Sequence, residues 1–167
     1  MLLNILGFQI GWFACVLGAA SHYPWWGVLV AVTVMTLHIA RSNDLRSEAR
    51  LLIAAMLIGI IFDSIPLNLG WINFSPVHFW ANDIAPPWMI CLWGLFASTI
   101  NISLIWLKDK IWLAALIGAV SGPLAYWGDS RLGGLEILNL NAAMIYLTIG
   151  WAIAVPLLLK ISVSKYQ

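Results

Sequence analysis

A chain of 167 residues with 62% hydrophobic and only 9% charged side chains lies far outside the composition of a soluble domain, where roughly a quarter of residues are charged. The formal net charge of +1 supplies no basic stripe for nucleic acid, and the chain contains no Gly-rich phosphate loop, HExxH, GxSxG or paired Asp-rich prenyl-phosphate motif. Nucleic-acid binding and ATP-driven transport by this chain alone are therefore set aside, and an integral membrane protein is left.

Six apolar stretches follow in chain order, at 2–20, 24–40, 49–65, 87–107, 111–127 and 138–159. Each has about 17–22 residues, or about 25–33 Å of helix, enough to cross the hydrocarbon core. Lipid offers no partner to backbone N–H and C=O groups, so such spans are helices. The expected fold is all-α: one polytopic six-helix transmembrane bundle covering residues 1–167.

The first stretch has no basic region ahead of it and reads as a retained helix rather than a signal peptide. It carries a stripe of small residues, Gly7, Gly11, Ala14 and Gly18, of the kind that lets helices approach in lipid. A tight turn, Ser21-His22-Tyr23-Pro24, leads into the second stretch, where His38 reads as an interfacial polar residue. Asp44 is the expected N-cap of the third, with Glu48 favourable in its first turn. Ala55, Gly59 and Asp63 share one face of that helix, so Asp63 should point into the bundle.

The connection 66–86 is long for a compact bundle. It holds Trp71, Phe74, Phe79 and Trp80 among Asn68, Asn73, His78, Asn82 and Asp83. Ser75 followed by Pro76 suggests a short interfacial helix over 76–82, serving either as an aromatic anchor or as a lid. In the fourth stretch Gly94, Ser98 and Asn101 share a face, which puts Asn101 deep in the bundle. The fifth carries Ala114, Gly118 and Gly122, and Pro123 frees a backbone carbonyl there. Asn139, Ala143, Tyr146, Gly150 and Ala154 line the sixth. Cys15 and Cys91 have no metal or redox spacing and read as small buried hydrophobes, with a disulfide as the rival.

Arg41, Arg46, Arg50, Lys108, Lys110, Lys160 and Lys165 fall on one side of a six-span chain, and only Arg131 falls on the other. The positive-inside rule then places both termini in the cytoplasm. Eleven tryptophans fit a protein with many membrane–water interface positions.

The outer end gathers Asp63, Asp83, Asp129 and Glu136 with His22, His78 and the lone base Arg131. Asp63 lies inside its helix, and ionisable residues in membrane helices are kept for a partner or a function. Three readings compete. Arg131 pairs structurally with Asp63 or Asp129; or Asp63, Asp129, His22 and Arg131 form an acid–base or anchoring site; or His22, His78 and two carboxylates hold a metal. The last is disfavoured because no pair has ligand spacing. Under the second reading Gln9, Trp12, Asn101, His78, Trp80, Asp83 and Glu136 would contact substrate. No cofactor is expected.

Asn4 through Phe8-Gln9, then Gly11-Trp12-Phe13-Ala14-Cys15-Val16-Leu17-Gly18-Ala19-Ala20, resembles the start of a bacterial inner-membrane family known as domain-of-unknown-function family 2878. His22, Pro24, Trp25 and Asp63 resemble it too. The resemblance covers the whole chain in length and span count, and singles out Gln9, Trp12, His22 and Asp63. It implies no assigned activity. Members tend to sit beside genes for modifying membrane fatty acids, which implies a lipid-related role and lipid-modifying enzymes as partners.

The sequence therefore supports a bacterial inner-membrane protein that binds or processes a lipid-like or amphipathic small molecule at a periplasm-facing site. The alternatives are a small proton-coupled transporter and a non-catalytic scaffold for lipid-modifying enzymes. A transporter requires a polar path to the cytoplasmic side, for which only Gln9, Asn101 and His38 are available.

Overall fold

The computed structural model describes residues 1–75 and 81–162. Most of the helix expected over 76–82, with His78, Phe79 and Trp80, lies outside the described residues. The described residues form six helices: α1 (Leu2–Ala20), α2 (Pro24–Ala40), α3 (Leu45–Asn68), α4 (Pro87–Ile100), α5 (Ile111–Leu132) and α6 (Leu140–Ile161). They also form two short strands, β1 (Ile72–Phe74) and β2 (Leu135–Ile137), and one 3-10 turn at Ile105–Leu107. Helices α1, α3, α5 and α6 are long and apolar enough to cross a membrane, while α2 and α4 are shorter apolar helices.

Two helix ends differ from the expected spans for definable reasons. Asp44 caps α3, its carboxylate accepting from Ser47 N at 3.0 Å and from the Ser47 hydroxyl at 2.6 Å. These bonds hold the Asp44 carboxyl below its ordinary value. The helix then continues through Pro66 to Asn68. A proline in a helix leaves the carbonyl four residues earlier without its N–H partner. Here that carbonyl is on Phe62, and the Tyr146 hydroxyl of α6 donates to it at 2.7 Å. The helix survives its proline because a neighbour satisfies the freed group.

Helix α4 stops at Ile100 instead of running on to residue 107. The hydroxyls of Ser98 and Thr99 donate back to Leu95 O and Phe96 O, at 2.7 and 2.6 Å. The Thr99 carbonyl collects the amides of Ile102, Ser103 and Leu104 in a turn. Polar side chains that bond the local backbone compete with helix continuation in this way.

Strands β1 and β2 pair antiparallel, with Ile72 opposite Ile137, Asn73 opposite Glu136 and Phe74 opposite Leu135. No strand was expected from the sequence. The pair ties the segment after α3 to the α5–α6 connection. The end of the molecule that carries it is called the sheet end below. Gly133, at φ 86°, closes α5 in the left-handed conformation that suits glycine.

Helix α4 is the centre of the packing. All its residues are buried except Pro87, Ile90 and Phe96, and it is surrounded by α1, α2 and α3. Helices α5 and α6 pair as a hairpin that meets α4 mainly through Trp151. Cys15 and Cys91 are both buried as free thiols.

Candidate functional site

Asp63 is completely buried on the face of α3 that also carries Ala55 and Gly59. Its two oxygens are held by uncharged donors. Trp93 Nε1 of α4 donates to Oδ2 at 2.7 Å, and the Tyr126 hydroxyl of α5 donates to Oδ1. Gly59, one turn earlier, makes room for the Trp93 indole: a Cβ there would run into the ring. Trp93 in turn stacks on Trp151 at 4.7 Å between centroids, and Phe62 packs edge-on to both. The carboxyl is therefore locked inside an aromatic wall by three helices.

Asp129 lies three residues after Tyr126, on the same face of α5, and is 1% exposed. Its Oδ1 is buried with no hydrogen-bond partner among the described residues. Most buried polar atoms find a partner, and an orphan carries a cost of roughly 1–3 kcal/mol. The indole Nε1 of Trp151 also lacks a well-formed bond, though it lies toward the Tyr126 oxygen.

Both groups border one cavity. A cleft of about 430 Å³ runs along the seam where α1 and α5 scarcely touch, with α4 and α6 behind it. Along α5 its lining extends from Ile117 to Asp129, about 18 Å of helix. The lining is apolar except for Gln9, Ser121, Thr99 and Ser103 along its length, and Tyr126, Trp151 and Asp129 toward the sheet end. Gln9 and Ser121 are exposed at its lips. Tyr126 has one proton and gives it to Asp63, and its oxygen has the Trp151 indole N–H beside it.

Of the residues expected at the site, Asp63, Asp129, Gln9 and Trp12 gather at or beside this cleft. The others do not. Arg131 is exposed, with its guanidinium 6.0 Å from the centre of the Trp127 ring, and it pairs with neither Asp63 nor Asp129. An ionic partner was expected because a buried charge ordinarily needs one, but two neutral donors serve Asp63 instead. His22 is an exposed turn residue at φ 64°, a conformation His tolerates better than most side chains. Glu136 and Asp83 are exposed. The side chain of Asn68 holds the Asp83 carbonyl at 2.8 Å. Among the described residues no three His, Cys, Asp or Glu side chains converge on a metal position.

The family described as “Protein of unknown function (DUF2878)” matches over residues 1–157. The chain belongs to this family. The resemblance read from the first helix is thereby confirmed. No curated protein and no solved structure matches the chain.

This DUF2878 protein carries a second buried polar centre at the end opposite the sheet, and Asn101 belongs there rather than beside Asp63. Asn101 Nδ2 donates to Glu48 Oε1 at 2.8 Å, and His38 Nε2 lies 3.0 Å from Glu48 Oε2. Glu48 is 6% exposed. A further cavity of about 310 Å³ borders it, lined also by Asn4 and Arg41. The sequence held the signal for Glu48, because 48, 52, 55, 59 and 63 keep helical spacing along one face. Reading Glu48 only as a favourable charge in the first turn obscured that spacing.

Proposed function

We propose that this protein crosses a bacterial inner membrane six times with both termini in the cytoplasm, and that it holds a lipid-like amphipathic molecule in the cleft between α1 and α5. The membrane reading is supported by the surface. Exposed tryptophans lie toward both ends, Trp25, Trp26 and Trp127 at one and Trp106 and Trp112 at the other. Arg41, Arg46, Arg50, Lys108, Lys110 and Lys160 lie at the end opposite Arg131, so the sheet end faces the periplasm.

The observation that carries the ligand reading is the orphaned Asp129 oxygen in a cleft that is otherwise mostly apolar. Small-molecule sites combine these two features: an apolar wall that supplies affinity and a few polar groups that fix orientation. An opening between two helices suits a ligand that arrives from the bilayer. Binding is favoured over turnover, because Asp129 is the one carboxylate lining the cleft, while Asp63 stands behind Tyr126 with both oxygens engaged.

Native mass spectra and lipid extracts test the reading. The wild type is compared with Asp129→Asn and with Ala125→Phe, which fills the cleft from α5. A specific bound molecule in the wild type that is depleted in both variants is the expected result. Identical bulk lipid in all three folded proteins would sink it.

A further inference from the structure

We infer that the polar end of this ligand is a hydroxyl: the cleft takes a neutral, single-chain alcohol-type amphiphile, its oxygen at Asp129 and its chain lying along α5 toward Ile117. The inference rests on the cleft being an amphiphile site. It adds the chemical class and the direction of binding.

Charge decides the first step. Among the described residues lining the cleft there is no Lys, Arg or His, and Asp129 is the one that can carry a charge. A carboxylate or phosphate head would find no countercharge there, and its desolvation in a low dielectric would go uncompensated. Arg131 does not relieve this, since it is exposed and lies over Trp127. Free fatty acids and phosphate-headed lipids are thereby disfavoured at this position.

Hydrogen bonding decides the second. The Asp129 Oδ1 atom offers a lone pair with no partner among the described residues, while Trp151 Nε1 lies toward the Tyr126 oxygen. The group that answers Asp129 must donate where Asp129 is a carboxylate and accept where it is an acid. An ammonium donates only. A hydroxyl donates one hydrogen bond and accepts others. It also matches Asp129 in either protonation state, donating to the carboxylate or accepting from the acid.

Shape supplies the third. The cleft of about 430 Å³ is of small-molecule size, and its lining follows about 18 Å of α5, which suits one extended chain.

The test uses the full-length protein in detergent and three probes with one chain: ω-brominated dodecanol, the matching dodecanoate and the matching dodecylammonium. Bromine quenches tryptophan, and Trp12, Trp93 and Trp151 line the cleft. Saturable quenching by the alcohol, about tenfold tighter than by the carboxylate or the ammonium, is expected. In Asp129→Asn that preference should shrink by a similar factor. The wild-type ranking needs no variant, so it stands even where the variant fails to fold. Equal affinity for all three probes, or a preference for the ammonium or the carboxylate, overturns the hydroxyl assignment and leaves the cleft as an amphiphile site. No saturable quenching by any probe overturns both.

Discussion

Asp63 shows how a buried carboxyl is accommodated without a countercharge. Two donors from different helices satisfy its oxygens. Tyr126→Phe removes one of them and leaves Oδ1 unpaired at a fully buried position. Such a loss is expected to lower stability by about 1–3 kcal/mol in thermal or SDS unfolding. Arg131→Ala, at an exposed site, should change stability by no more than about 0.5 kcal/mol. The reverse ranking would restore an ionic role for Arg131. The burial of Asp63 was legible in the sequence, because Ala55 and Gly59 mark its face. Its partners were not, since Trp93 and Tyr126 reach it only through the register of α4 and α5 against α3. That register depends on close fits such as the indole over Gly59. The same gap hid the partner of Asn101: a shared face says which way a residue points, and only the register of α4 against α3 brings it to Glu48.

Among the elements, α3 is fastened at both ends by specific chemistry. Its cap depends on an ionised Asp44 whose carboxyl is held below the usual range by Ser47. A carboxyl lowered in the folded state stabilises fully above its unfolded value, and that contribution is lost as pH falls through the lowered one. Protection of the Ser47 amide, taken relative to its intrinsic exchange rate at each pH, should therefore fall in acid below the ordinary Asp range, and Asp44→Asn should flatten the dependence while still capping. A loss of protection that persists unchanged in Asp44→Asn would remove Asp44 as its source. In the middle of α3, Gly59→Ala drives a methyl into Trp93, and a cost of about 1–3 kcal/mol with altered tryptophan emission is expected. An unchanged spectrum and melting point would mean the indole has room to move. The starts of α1 and α2 agree with hydropathy, because an apolar run and a following turn define them. The end of α4 does not, because Ser98, Thr99 and Asn101 terminate it through side-chain bonds that hydropathy does not register. The β1–β2 pairing was equally out of reach: it joins segments more than sixty residues apart.

Over the whole molecule, Glu48 and Asp63, both buried, lie on one face of α3, about 22 Å apart along the helix. Between them that face presents Leu52, Ala55 and Gly59, and the Trp93–Trp151 stack stands beside it. No titratable side chain on that face bridges the interval. Proteoliposomes carrying the protein should therefore acidify no faster than empty ones under an imposed pH gradient. A proton flux abolished by Asp63→Asn or Glu48→Gln would revive the proton-coupled transporter.

The central position of α4 also bears on how the chain is made. At 14 residues this helix is about 21 Å long, short of the ~30 Å hydrocarbon core, and its polar turn after Ile100 would be stranded in lipid. Its surroundings answer that need in order of synthesis. Helices α1, α2 and α3 precede it from the ribosome, and they are the helices it packs against most. Asn4 and Glu48, already laid down, receive the turn through Ser103 and Asn101. The short helix thus arrives at a socket its predecessors have built, and the α5–α6 hairpin, arriving last, forms the cleft by closing against α4 while standing off from α1.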